Sequence, residues 1–204
     1  MIFGITGTKG HGKDTLAKLI VKHNPQYRIL HFADRLKQIC QNVFGLTDLQ
    51  INELEHKEKL FETPIIMDDS LPQLVEQTQL ELQPRGLVAK NPREIMQYVG
   101  TEYVRSIRDS YWRDCVEKEL TKFCIVPDTR FINEAELLRR HGGKIIRVQR
   151  IDLPTNTDLH ASETEQLMIR VDLTVRAVTG GLDHLDSVAE RLANHPEEFL
   201  NRTF

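Results

Sequence analysis

Apolar residues open the chain as a short unbroken run from Ile2 to Thr6, rich in β-branched side chains and closed by Gly7, which predicts a buried first strand. Beyond it the period changes. Leu16, Leu19 and Ile20 recur at helical spacing within Asp14 to Lys22. RILHF, residues 28–32, reads as a second strand, with Asp34 as the N-cap of a helix whose face carries Leu36, Ile39, Cys40 and Val43. Strand, helix, strand, helix is the rhythm of a parallel α/β sheet.

The rhythm then breaks. Asp48 to Lys90 is polar, charged at Glu53–Lys59 and punctuated by Pro64, Pro72 and Pro84. It reads either as a solvated surface insertion or as a cap facing a ligand. Asn91-Pro92 predicts an N-cap followed by proline at the first helical position, with Ile95, Met96, Val99 and Tyr103 as the buried stripe. Another helix is expected from about Arg108 to Leu120. FCIV, ended by Pro127, reads as a strand, and Glu134 to Arg140 as a helix stopped by Gly142-Gly143. KIIRVQ at 144–149 and Leu173 to Val178 give two more strands. A closing helix carries Leu185, Val188, Ala189 and Leu192. The sum is an α/β fold with a five-stranded parallel sheet flanked by helices. One domain over 1–204 is expected, with a substrate-side insertion at about 46–90 and a lid-like segment at about 150–170.

Composition narrows the function without naming it. A formal net charge of −3 gives no general basic face, which argues against sequence-independent nucleic-acid binding. Cys40, Cys115 and Cys124 match no zinc or redox spacing, and the histidines form no HExxH pattern. No apolar run is long enough to cross a bilayer. The expectation is a soluble cytoplasmic protein with reduced thiols, with no membrane partner; a homodimer stays open.

The chemistry begins at Gly7-Thr8-Lys9-Gly10-His11-Gly12-Lys13-Asp14-Thr15, which fits G-x-x-x-x-G-K between a predicted strand and a predicted helix. That context predicts a phosphate-binding P-loop, and with it the three-layer fold of P-loop NTPases. The glycines let backbone N–H groups turn toward phosphate oxygens, and the helix dipole adds positive potential. Lys13 is then the cation that neutralises the β- and γ-phosphates during transfer. Asp14 stands where such loops usually carry the Ser or Thr that holds Mg²⁺, and Thr15 comes one place later. Either one is a candidate metal ligand; a purely structural role for Asp14 at the helix start is the alternative.

IVPDTR places Asp128 and Arg130 just past a strand's C-terminal end, where ligands bind in open α/β sheets. Asp128 is a candidate for positioning Mg²⁺-bound water or the attacking phosphate. Arg130 offers a planar fork suited to phosphate, and Glu134, four residues on, is placed to orient it. Arg93, Gln97 and Gly100 share a helix face beside Thr101, a pattern that suits a phosphate ligand, a base edge and a planar ring but also an ordinary polar face. On pattern alone Trp112 reads as core.

At these residues the sequence resembles the phage-type deoxynucleoside monophosphate kinases, compact relatives of the nucleoside monophosphate kinases. GTKGHGKDT, REIMQYVGTEYVR with the following DSYW, IVPDTR, and DLHASE at 158–163 carry the likeness in the family's order. The GKDT ending is part of that pattern. IVPDTR combined with MQYVGTE is more telling than the P-loop, and residues 46–90 have no counterpart. The resemblance implies transfer of the ATP γ-phosphoryl group to a deoxynucleoside 5′-monophosphate, with Mg²⁺. It implies ATP contacts from Lys9, Gly10, Gly12, Lys13, Asp14 and Thr15. Arg93, Gln97, Gly100, Thr101, Trp112, Asp128, Arg130 and Glu134 would line the monophosphate side, Trp112 beside base or sugar, and Arg150 or Arg170 would serve a lid. Catalysis would fall to Lys13, Asp128 and Arg130. The alternatives are a P-loop kinase for another phosphorylated metabolite such as dephospho-coenzyme A, a regulatory ATPase, and a non-catalytic nucleotide-binding module.

Overall fold

A computed structural model of the chain describes residues 1–8, 10–152 and 161–201. Lys9, His160 and the stretch 153–160 of the expected lid-like segment lie outside them. In chain order the elements are β1 (Phe3–Thr6), α1 (Lys13–His23), β2 (Arg28–Ile29), α2 (Asp34–Phe44), α3 (Asp48–Asn52), α4 (Leu54–Glu58), β3 (Ile65–Ile66), α5 (Leu71–Thr78), β4 (Val88–Ala89) and α6 (Pro92–Gln97). A π-helical segment, Tyr98–Arg105, continues α6. Then come α7 (Tyr111–Glu119), β5 (Cys124–Val126), α8 (Ile132–Arg140), β6 (Lys144–Arg150), α9 (Ala161–Met168), β7 (Leu173–Ala177), α10 (Leu182–Asn194) and α11 (Pro196–Asn201). The chain forms two compact units, Ala33–Cys115 and the remainder.

The first unit, Met1–Phe32 with Val116–Phe204, holds a five-stranded sheet in the order β2-β5-β1-β6-β7, every pairing parallel. Side chains alternate across it, as the two-residue period of a strand requires. Phe3, Ile5, Ile146 and Val148 pack on one face with Leu16 and Ile20 of α1 and Leu185, Val188 and Leu192 of α10. Ile2, Val126 and Ile145 pack on the other face with Leu137 and Leu138 of α8. Three layers result, and a sheet covered on both faces explains why its strands read as apolar runs. β1, at the centre, is buried along its whole length. A Cβ at Gly4 would stand 2.6 Å from Leu138 Cδ1 and 2.7 Å from Ile145 Cδ1, so α8 packs here against bare backbone.

Two expectations are corrected at β2. The predicted strand 28–32 shrinks to Arg28–Ile29, because its partner β5 runs only from Cys124 to Val126 and pairs at Arg28↔Cys124 and Ile29↔Ile125. Asp34 is the first residue of α2, and Ala33 takes the cap position without a side-chain bond.

The second unit has its own core: Ile39 and Cys40 of α2, Ile51, Met67, Leu74, Ala89, Ile95, Val99, Tyr103 and Trp112. The polar stretch 46–90 contributes many of these side chains. Charged α3 and α4 and the two-residue antiparallel pair β3–β4 thus alternate with buried anchors rather than forming a wholly solvated insertion. Asn91 caps α6 as expected, accepting the Glu94 N–H at 3.0 Å, with Pro92 following it.

Candidate active site

The phosphate loop leaves the centre of the sheet. Gly7, Gly10 and Gly12 have φ of 140°, 82° and 92°, values that L side chains rarely adopt. Gly7 also passes so close to β6 that a Cβ would stand 2.3 Å from the Val148 carbonyl oxygen. Gly12 is the N-cap of α1 and makes no side-chain cap, so the first N–H groups of that helix are left for another acceptor. Lys13 stands at the first helical position, and its ammonium turns back to donate to the Gly7 carbonyl at 2.6 Å and the Thr8 carbonyl at 3.0 Å. A cation is thereby held across a loop whose backbone donors favour an anion. Asp14 exposes 71% of its side chain, and its Oδ1 lies 3.8 Å from His31 Nε2. The His31 contact, opposed by partial burial, holds its carboxyl below the usual range.

At the C-terminal end of β5, Asp128 is half-buried, and its Oδ1 accepts the Phe32 N–H at 3.1 Å. Thr129 is fully buried and donates to the Val126 carbonyl at 3.0 Å, fixing the turn. Arg130 is exposed. Glu134 is 3% exposed, and its Oε2 accepts the backbone N–H groups of Arg130 at 2.8 Å and Phe131 at 3.1 Å. The expectation that Glu134 orients the Arg130 guanidinium is therefore restated: its carboxylate caps α8 and sets the backbone from which Arg130 projects. Lys13, Gly10, Gly12, Asp14, Thr15, Asp128, Arg130 and Glu134 all belong to the first unit.

Arg93, Gln97, Gly100, Thr101 and Trp112 belong to the second. The Arg93 guanidinium meets Glu58 at 3.0 Å, while its Nε is buried without a hydrogen-bond partner. Gln97 and Thr101 are exposed. Gly100 is buried, and a Cβ there would come within 3.1 Å of Leu36 Cδ2, so its glycine serves packing rather than room for a ring. Trp112 lies in the core, as its pattern alone predicts. It is 4% exposed, stands edge-on to Tyr111, and donates its indole N–H to the Gly100 carbonyl at 3.0 Å. It anchors the π-helical segment and presents no open face for stacking. Arg150, expected in a lid, pairs with Asp152 at 2.9 Å. The contact of His31 with Asp14 carried no sequence signal.

Among the described residues no three His, Cys, Asp or Glu side chains gather to hold a metal ion. The donor set still suits Mg²⁺, which keeps most of its waters and takes one or two carboxylates alongside phosphates; the exposed Asp14 carboxylate fits that need.

Comparison with known proteins agrees with this chemistry. A family model described as deoxynucleotide monophosphate kinase matches residues 89–187. The chain is similar to the deoxynucleotide monophosphate kinases. A protein of Acanthamoeba polyphaga mimivirus, provisionally named as one, is 28% identical over 186 residues, covering 83% of this chain and 84% of that protein. The deoxynucleoside-5′-monophosphate kinase of Escherichia phage T5 is 27% identical over 189 residues, covering 68% and 72%. Among solved structures, TT1252 from Thermus thermophilus aligns with a TM-score of 0.47 at 13% identity, over 96% of this chain and 97% of that one. The dephospho-CoA kinase from Campylobacter jejuni aligns at 0.45 and 14%, over 96% and 98%. These two relatives come from a virus and a phage, and the family match at 89–187 reaches into both of the present units.

Proposed function

We propose that this protein is a nucleotide kinase that transfers the ATP γ-phosphoryl group to a deoxynucleoside 5′-monophosphate, yielding ADP and the diphosphate. The observation that carries the reading is Lys13 held against the Gly7 and Thr8 carbonyls of a loop with three left-handed glycines at the edge of the central strand. The match of residues 89–187 to a deoxynucleotide monophosphate kinase model supports the choice of acceptor.

Phosphoryl transfer asks the protein for alignment and charge neutralisation rather than covalent chemistry. In this reading the loop N–H groups and Lys13 bind the donor phosphates. Asp14, Thr15 and Asp128 would hold Mg²⁺ or its waters, and the ion when bound would supply charge neutralisation at the phosphates. Arg130, set in place by the Glu134 cap, and Arg93 bind the acceptor phosphate, with Gln97 and Thr101 toward the nucleoside. The acceptor phosphate is already anionic, so no strong general base is required. The test is ADP release from Mg·ATP with each deoxy- and ribonucleoside monophosphate added singly. Stimulation by deoxynucleotides establishes the reading and its base preference. ATP binding without stimulation by any of them overturns the acceptor.

A further inference from the structure

One side chain of the phosphate loop has no part in that reading. His11 lies between Gly10 and Gly12. A Cβ at Gly10 would meet nothing within 4 Å, so the glycine there serves backbone conformation alone. A loop of this kind has much freedom to lose on ordering, and its crown needs an anchor. Inside the loop, the His11 N–H donates to the Thr8 carbonyl at 3.2 Å. Outward, His11 Nδ1 accepts the backbone N–H of Arg150 at 3.3 Å, at the end of β6.

That end of β6 is itself tied down. Arg150 Nε donates to Asp152 Oδ1 at 2.9 Å, and a terminal nitrogen of Arg150 donates to Oδ2 at 3.2 Å. The Thr179 N–H donates to Asp152 Oδ2 at 2.7 Å, and the Thr179 hydroxyl bonds both Arg150 and Asp152. The Ile151 N–H reaches the Ala177 carbonyl of β7 at 3.1 Å. His11 must keep a bare Nδ1 to accept. Burial, helped by the Lys13 and Arg150 charges, holds its pKa below the ordinary value, against an opposing contact with Val148.

We infer that His11 is a positioning residue for nucleotide binding: by accepting the Arg150 N–H on Nδ1, it fixes the loop crown so that the loop's own N–H groups face phosphate. Asp152 and Thr179 act one step further out, by holding Arg150. The inference rests on the ATP reading of the loop.

The test is the affinity of the full chain for a fluorescent N-methylanthraniloyl-ATP with Mg²⁺, in the wild type and in H11N, H11A and D152N, with thermal midpoints taken alongside. Asparagine carries an amide oxygen near the place of Nδ1, whereas alanine carries no acceptor. H11N is expected to bind within about twofold of wild type. H11A should bind about three- to tenfold more weakly, the scale of one lost hydrogen bond, and D152N less so in the same direction. In turnover, H11A should raise KM for ATP and leave KM for the monophosphate within about twofold, a split that general loss of structure would not give. Wild-type affinity in H11A, or equal losses in H11N and H11A, overturns the inference and leaves the ATP reading standing. A wild type that does not bind the probe overturns both. If H11A does not fold, D152N decides, and unchanged affinity there overturns the inference.

Discussion

Lys13 occupies the first turn of α1, where the helix dipole disfavours a cation. The structure answers that cost with two backbone carbonyls, and a cation kept in an unfavourable place points to a task there. Replacing Lys13 by alanine should lower kcat at least ~10²-fold, the scale of a lost transition-state stabiliser, with thermal stability little changed. A near-normal rate in steady-state assays would remove Lys13 from the mechanism. Cys40 is different: it is a thiol in the apolar core of the second unit, and burial pushes its pKa up to about 12 from 9.0. In the window between those values the unfolded chain has released a proton that the folded chain keeps. Stability should therefore fall as pH rises above 9.0. Denaturant midpoints at rising pH, compared with those of Cys40→Ala, check the slope, which the variant should flatten. At pH 8 a thiol reagent should label the partly exposed Cys115 well before Cys40.

Among the elements, α8 shows how a helix start serves a site. Glu134 binds two backbone N–H groups at its N-terminus, and Arg130 projects from the first of them. Glu134→Ala should cost about 1–3 kcal/mol, the range for charge-assisted bonds from a buried carboxylate. It should also raise KM for the monophosphate more than KM for ATP. Calorimetry and the two kinetic constants together test both parts. What the sequence revealed of the elements follows their physics. A strand buried along its whole length, Phe3–Thr6, showed as an apolar run, and Asn91-Pro92 marked α6 by its own chemistry. β3 and β4, two residues each, are too short to show a period. The π-helical segment was hidden as well, because Ile95, Val99 and Tyr103 recur every four residues, a spacing an ordinary helix also accepts. The P-loop was legible because three glycines and a lysine at fixed spacing have few other uses. Trp112 read as core on its pattern, although its place inside a family motif suggested contact with base or sugar, and the Gly100 carbonyl that accepts its indole N–H holds it there.

At the scale of the whole molecule, each unit buries its own apolar side chains. Native-state hydrogen exchange should therefore sort the slow amides into two cooperative groups, Ala33–Cys115 and the rest. On the proposed reading ATP would bind the folded loop alone, so by mass action it should slow exchange in the group that contains β1 and α1. A single uniform opening energy across both groups would contradict this division.

The sheet order has a consequence for how the protein is made. β1 is made before the other strands of its sheet, yet its neighbours are β5 and β6, which come more than a hundred residues later. Ala33–Cys115 is continuous in sequence and can settle while the rest is still being added. Gly7 must wait for the Val148 backbone it passes, and His11 for Arg150. A ribosome-held nascent chain that has not yet exposed Arg150 should thus be unable to retain ATP, and the ability to do so should appear abruptly as β6 emerges. Nucleotide capture then reports that synthesis of the sheet is nearly complete.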